Sequence, residues 1–211
     1  MAETKICGVT TPEALDAAIA GGARYVGFVM YPKSPRHLSR DKLAALAARA
    51  RGRIETVVVT VDADDELLTG VAAYAQPDWI QLHGRENPGQ VSQARQFARL
   101  GIIKAIGIAR SEDLAPVAAF EPVTDMLLFD AKPPTGGLPG GNALAFDWAI
   151  LAGRRFGRPW LLSGGLTPDN VAQAISASGA ALVDVSSGVE AAPGLKDPGK
   201  IDRFLAAARS A

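Results

Sequence analysis

Eight times along the chain a short apolar run is followed by a helical pattern, and this alternation constrains the fold more than any single motif. The runs fall at 4–7, 25–30, 54–61, 79–82, 102–106, 126–129, 159–163 and 181–185. Helix-opening signals stand between them: Thr11-Pro12, Ser39, Asp64, Asn87-Pro88, Ser111, Thr167-Pro168 and Asp197-Pro198. Such side chains accept hydrogen bonds from the free amides of a first turn, and proline suits its first position. Residues 146–151 read as a further short helix. Strands joined through helices run parallel, because each crossover returns the chain to the same end of the sheet. Eight such units fit a closed (β/α)8 TIM barrel, for which 211 residues is at the compact end of the usual ~250. No linker or composition shift marks a second domain, so one barrel is expected over residues 1–211. An open doubly wound sheet is the alternative. It favours a glycine-rich turn after the first strand, and that turn offers only Gly8. The longest connection, 131–145, is rich in glycine and proline and is expected to be functional.

Hydrophobic residues make up 48% of the chain and charged residues 21%, enough apolar material for a sizeable core. Lys+Arg 22 balances Asp+Glu 22, so no global field points to nucleic acid or an anionic membrane. An anionic ligand must therefore be held by local groups. The lone cysteine, Cys7, allows no internal disulfide. The first residues lack the order of a signal peptide, and no apolar run approaches the ~20 residues of a membrane span. A soluble cytoplasmic protein is expected, with a monomer favoured because no apolar surface stripe stands out.

Barrels of this type carry their chemistry at the C-terminal ends of the strands. Those ends read Cys7, the loop of Arg36, His83, Asp130, Ser163-Gly164-Gly165 and Ser186-Ser187-Gly188. The last two are small-residue loops after strands seven and eight, where such barrels hold a phosphate. A helix opened by Thr167 and Pro168 would add free amides to the first of them. Cys7 and Asp130, on strands one and six, can face each other across the mouth. That suits an acid and a base on two sides of one small substrate. Each residue also has a plainer reading. Cys7 fits a small buried hydrophobe, Asp130 a salt bridge to Lys132, His83 a strand cap and Arg36 a solvated loop charge. Lys104 lies mid-strand. Facing inward, it would be a buried cation needing a partner, or a Schiff-base lysine.

The segments Lys5-Ile6-Cys7-Gly8-Val9-Thr10, 27–36, Gln81-Leu82-His83-Gly84 and Leu128-Phe129-Asp130 together resemble one family. So do Phe146-Asp147-Trp148, Leu162-Ser163-Gly164-Gly165-Leu166 and 183–190. The family is phosphoribosylanthranilate isomerase of tryptophan biosynthesis, and the resemblance spans residues 5 to about 197. It implies a (β/α)8 barrel that uses neither metal nor organic cofactor. The implied reaction is the Amadori rearrangement of N-(5-phosphoribosyl)anthranilate to the 1-deoxyribulose 5-phosphate. The resemblance makes Cys7 the general base and Asp130 the general acid. Arg36 would contact the anthranilate carboxylate, His83 would join the substrate site, and Gly164, Gly165, Ser186, Ser187 and Gly188 would bind the phosphate. Two positions depart from the family pattern: Val9 stands for leucine, and Ala143 for a glycine in the loop after strand six. An acid that stays protonated at neutral pH needs help, and an apolar wall from Phe129 is one expected source.

Overall fold

Residues 1–132 and 146–211 are described by a computed structural model of the chain. The expected loop between them, with Ala143, lies outside the described residues. The barrel strands are β1 (Glu3–Cys7), β2 (Tyr25–Met30), β3 (Glu55–Thr60), β4 (Trp79–Leu82), β5 (Gly101–Ile108), β6 (Met126–Ala131), β7 (Trp160–Leu162) and β8 (Leu182–Val185). Each pairs in parallel with the next, and β1 pairs with β8, so the sheet closes in sequence order. The open-sheet alternative is thereby excluded.

Side chains alternate across each strand, and that parity sorts the core into two layers. Cys7, Val29, Val57, Val59, Ile103, Leu128 and Leu161 pack together inside the barrel. Ile6, Val26, Phe28, Val58, Leu127, Phe129 and Val183 belong to the layer between the sheet and the helices. Strands buried on both faces need the near-continuous apolar runs that the sequence shows.

The helices are α1 (Pro12–Ala20), α2 (Arg40–Ala50), α3 (Asp65–Ala75), α4 (Pro88–Ala94), α5 (Val117–Phe120), α6 (Val171–Ser178) and α7 (Pro198–Arg209). Thr11, Ser39, Asp64, Asn87 and Asp197 cap five of them through side-chain acceptors, as the sequence implies. Two expected caps differ. Ser111 opens a 3-10 turn, Ser111–Leu114, and Asp113 takes over the capping by accepting from the Ala109 and Arg110 amides. Thr167 does not cap α6. Its amide instead donates to Asn170 Oδ1 at 2.7 Å, and a turn separates it from the helix, which starts at Val171. The segment expected as a helix over 146–151 is a 3-10 turn, Trp148–Leu151.

One element was not expected. A two-stranded hairpin, β9 (Glu190–Ala192) with β10 (Leu195–Lys196), follows β8. It is tied to the mouth by Thr10, whose hydroxyl donates to Gly194 O at 2.7 Å. No helix among the described residues is long and apolar enough to cross a membrane.

Candidate active site

Parity carries Cys7 of β1, Gln81 of β4, Asp130 of β6 and Asp184 of β8 into the barrel interior, with Ser163 directly after β7. All five line one cavity at the C-terminal end of the strands, and Arg36, His83 and Ser186 close over it. Cys7 and Asp130 thus share a single cup. Cys7 is 7% exposed and reaches the cavity surface. Gly27 on the adjacent strand makes room for it, since a Cβ there would lie 2.8 Å from the sulfur.

Behind the sulfur is a charged pair. Lys5 precedes Cys7 by two residues and shares its face, and its Nζ lies 2.9 Å from Asp184 Oδ1. The Ser163 hydroxyl donates to the other Asp184 oxygen at 3.2 Å. Burial pushes the Cys7 thiol up from its ordinary range; the Lys5 and Lys196 ammonium groups pull it down and Asp184 pushes it up, and the net shift is upward. Burial works against the charge on Lys5, but Asp184 and Cys7 outweigh it and hold the ammonium above its usual range.

Asp130 makes no pair with Lys132, which bonds Asp113 at 2.9 Å. Its Oδ2 lies 3.2 Å from His83 Nε2, and its Oδ1 accepts from the Ala131 amide at 2.9 Å. Phe129 does not wall the carboxylate as expected. By parity it faces outward, where it packs on Phe156 and Trp160 at ring centroid distances of 4.8 and 5.6 Å.

Arg36 is buried rather than a solvated loop charge. Its loop folds back on β2 through a Leu38 amide to Val29 carbonyl bond of 3.0 Å. Gly8, with φ of +75°, clears the way, because a Cβ there would sit 2.5 Å from Arg36 Cδ. The guanidinium donates to both Glu190 oxygens, at 2.7 and 2.9 Å. Lys196 Nζ also donates to Glu190, at 2.8 Å, and to Ser186 O at 3.0 Å. Burial favours the neutral acid of Glu190, but Arg36 and Lys196 outweigh it and lower its pKa.

The two small-residue loops are pressed together. A Cβ on Gly188 would meet Leu166 O at 1.9 Å, and one on Gly164, whose φ is +90°, would meet Ala131 N at 2.6 Å. Gly165 has a φ of +66° and Ser187 opens a 3-10 turn, Ser187–Val189. The amides of Gly165, Ser187 and Gly188 donate to no other described residue. Unpaired main-chain amides on two adjoining loops are the kind of group that can bind an anion.

Lys104 faces outward from β5. Its Nζ donates to Glu86 at 2.7 Å and to the carbonyls of Gly84 and Leu82, at 2.9 and 3.3 Å. It is a buried cation with partners and stands outside the cavity. Sequence reading missed Lys5, Gln81 and Glu190 as members of the site. The first two are two residues from Cys7 and His83, so strand parity was the signal that placed them.

Residues 4–207 match the family model described as N-(5'phosphoribosyl)anthranilate (PRA) isomerase. The N-(5'-phosphoribosyl)anthranilate isomerase of Caulobacter sp. (strain K31) is 50% identical over 211 residues, covering 99% of each chain. The crystal structure of phosphoribosyl anthranilate isomerase from Thermotoga maritima superposes with a TM-score of 0.89 at 35% identity, covering 100% of both chains. A crystal structure of the isomerase in complex with reduced 1-(o-carboxyphenylamino)-1-deoxyribulose 5-phosphate superposes at 0.86 with 34% identity, again covering 100% of both chains. The chain therefore belongs to the N-(5'-phosphoribosyl)anthranilate isomerase family.

Proposed function

We propose that this cavity isomerises N-(5'-phosphoribosyl)anthranilate, in the tryptophan pathway, with Asp130 as acid and Cys7 as base. The observation that carries the reading is the single cup lined by both side chains beside two loops of free amides. Asp130 protonates the ribose ring oxygen, the ring carbon–oxygen bond breaks, and the anthranilate nitrogen lone pair forms a Schiff base. Cys7 removes the proton from the second ribose carbon, and those electrons give an enolamine. Tautomerisation moves the enol proton off oxygen and adds a proton at the first carbon, so the product is an isomer of the substrate.

Arg36 spends two donors on Glu190. Its outer edge keeps further N–H groups, and a planar fork of this kind matches a carboxylate. It is the group placed to hold the anthranilate carboxylate, while His83 contacts the substrate through the cavity wall it shares with Asp130. The phosphate lies on Gly164, Gly165, Ser186, Ser187 and Gly188. Being remote from the reacting carbons, it supplies binding energy that positions the sugar. Holding a free thiol as thiolate at neutral pH costs roughly 2 kcal/mol before burial adds to it. Lys5 is the nearest group on the same face that opposes that cost.

The partner is the small phosphosugar alone, with no nucleic acid or membrane, and the compartment is the cytoplasm. Large exposed apolar side chains among the described residues are Met1, Leu100 and Leu195. Their separation in the sequence and small number support a monomer, although the Thermotoga maritima relative is described as dimeric. Size-exclusion chromatography with light scattering distinguishes the two states.

The decisive assay follows loss of phosphoribosylanthranilate fluorescence. Cys7→Ser and Asp130→Asn should each lose at least about a hundredfold in turnover, the usual scale of general acid–base catalysis. Wild-type rates in either variant would remove that residue from the mechanism.

A further inference from the structure

Gln81 sits inside the barrel two residues before His83, with no exposure to solvent. Its Nε2 lies 2.8 Å from His83 Nδ1. Its Oε1 is buried and meets no partner among the described residues. The far ring nitrogen, His83 Nε2, lies 3.2 Å from Asp130 Oδ2. Gln81, His83 and Asp130 all line the same cavity. They form a line of polar atoms that ends on the carboxyl group assigned above as the acid.

An imidazole nitrogen that accepts from an amide N–H carries no hydrogen of its own. With Gln81 Nε2 on Nδ1, the ring hydrogen is on Nε2 and is donated to Asp130. We propose that Gln81 is a positioning residue that sets the tautomer of His83, and through it decides whether Asp130 holds a proton to give. The proposal rests on the reading of Asp130 as the acid.

Turning the Gln81 amide by 180° exchanges its two ends. Oε1 then accepts from Nδ1–H, and His83 Nε2 shares one proton with Asp130 Oδ2. In the first arrangement the carboxylate accepts from an N–H donor. The second holds one proton more, taken up from solvent as the substrate binds, and that proton is transferable. That proton leaves for the ribose ring oxygen, and the enol proton of the enolamine replaces it, so a turnover ends with none gained or lost. A buried acceptor without a partner is costly, which opposes the first arrangement. The turned amide gives Oε1 the Nδ1–H as its partner, and a ribose ring oxygen set beside Asp130 can only accept, which calls for a protonated carboxyl. Substrate binding therefore favours the loaded state. The ionisable groups sharing the cavity with His83 are Asp130 on β6, Cys7 on β1, Asp184 on β8, and Tyr31 and Arg36 after β2. Lys104 and Glu86 lie outside it.

The test is the 15N spectrum of the His83 ring in the full chain. There are two histidines, and His37 is exposed, so a His37→Gln background leaves one imidazole to read. Without ligand, Nδ1 should be bare and Nε2 protonated. With the reduced product analogue bound, Nδ1 should become protonated. Gln81→Glu offers only acceptors, so Nδ1 should carry hydrogen in both states. Gln81→Leu should give mixed tautomers and lower kcat about tenfold, with KM within about twofold. A protonated Nδ1 in the unliganded protein, or a Gln81→Glu spectrum identical to that of the parent, would overturn the proposal. Full activity in Asp130→Asn would instead refute the acid assignment, and the ring spectrum would still report on Gln81 by itself.

Discussion

Lys5 Nζ lies 2.9 Å from Asp184 Oδ1 inside the barrel, with the two side chains 0% and 5% exposed. Burying a charged pair is expensive and seldom stabilises a fold over an apolar pair of the same size. Its use here is electrostatic. Lys5 shares its strand face with Cys7 and favours the thiolate, whereas Asp184 holds the ammonium in place. Replacing Lys5 by Met should leave Asp184 buried without its cation and cost roughly 3–5 kcal/mol in urea unfolding. The double variant Lys5→Met, Asp184→Leu should recover most of that stability. It should not recover the thiol, whose alkylation rate should need a higher pH than in the parent chain.

Burial holds the Cys7 thiol above its ordinary value, with Lys5 opposing. The thiolate is the form that acts as base, and the Cys7 alkylation rate should rise with pH through neutrality and keep rising past the ~8.5 of a free thiol. The linkage has the opposite sign for stability. A raised folded-state pKa favours the neutral form, so this contribution is complete below the unfolded pKa and is lost as pH rises through the folded one. An alkylation profile that levels off below pH 8 would contradict a thiol held above its ordinary range by burial.

Glu190 clamps Arg36 from behind and anchors Lys196 at the same time. Its carboxyl group titrates below its usual range in the folded chain because those two cations outweigh the effect of burial. That stability is present above the unfolded pKa and is lost as pH falls through the folded one. Glu190→Gln should therefore unfold with a shallower dependence on acid than the parent, measured by thermal melts from about one unit above the ordinary ~4.3 downward. With its second carboxylate oxygen gone, Arg36 loses its fixed angle. KM should rise about tenfold while kcat changes less, which corresponds to roughly 1.4 kcal/mol of binding.

Lys104 separates a structural lysine from a chemical one. It joins Glu86 to the carbonyls at the end of β4, and its ammonium also sits 5.7 Å from the Phe120 ring centroid. Lys104→Met should destabilise the chain by roughly 3–5 kcal/mol, because Glu86 stays buried without a counter-ion. Folded enzyme should retain its kcat to within about threefold, as no step in the proposed chemistry passes through this amine. Loss of all turnover in folded protein would return the Schiff-base reading.

Strand positions and five helix caps were legible in the sequence because near-continuous apolar runs and capping side chains are local signals. The residues at the strand ends were legible for the same reason, since a barrel fixes where strand ends lie. What the sequence hid is non-local. Phe129 and Asp130 are neighbours in the chain, yet they stand on opposite faces of β6, so the apolar wall expected beside the acid faces the helices. Thr167-Pro168 has the composition of a helix start, but Asn170 captures the Thr167 amide and delays the helix by a turn. The partners of Arg36 and Lys104 lie 154 and 18 residues away, beyond any window in which spacing carries information.

Gly188 tests the phosphate loops most directly. It does not owe its place to a left-handed backbone, since its φ is not positive. It owes it to contact, because a single methyl group would stand 1.9 Å from Leu166 O. Relief requires the loop after β7 and the loop after β8 to separate, and that moves the Gly165 and Ser187 amides apart. Gly188→Ala should raise both the KM for substrate and the inhibition constant for inorganic phosphate, each by at least about tenfold. Cys7 alkylation should keep its parental pH dependence, because the Lys5–Asp184 pair lies deeper in the barrel. If KM rises while phosphate inhibition is unchanged, the phosphate is held elsewhere and the two loops serve only to pack against each other.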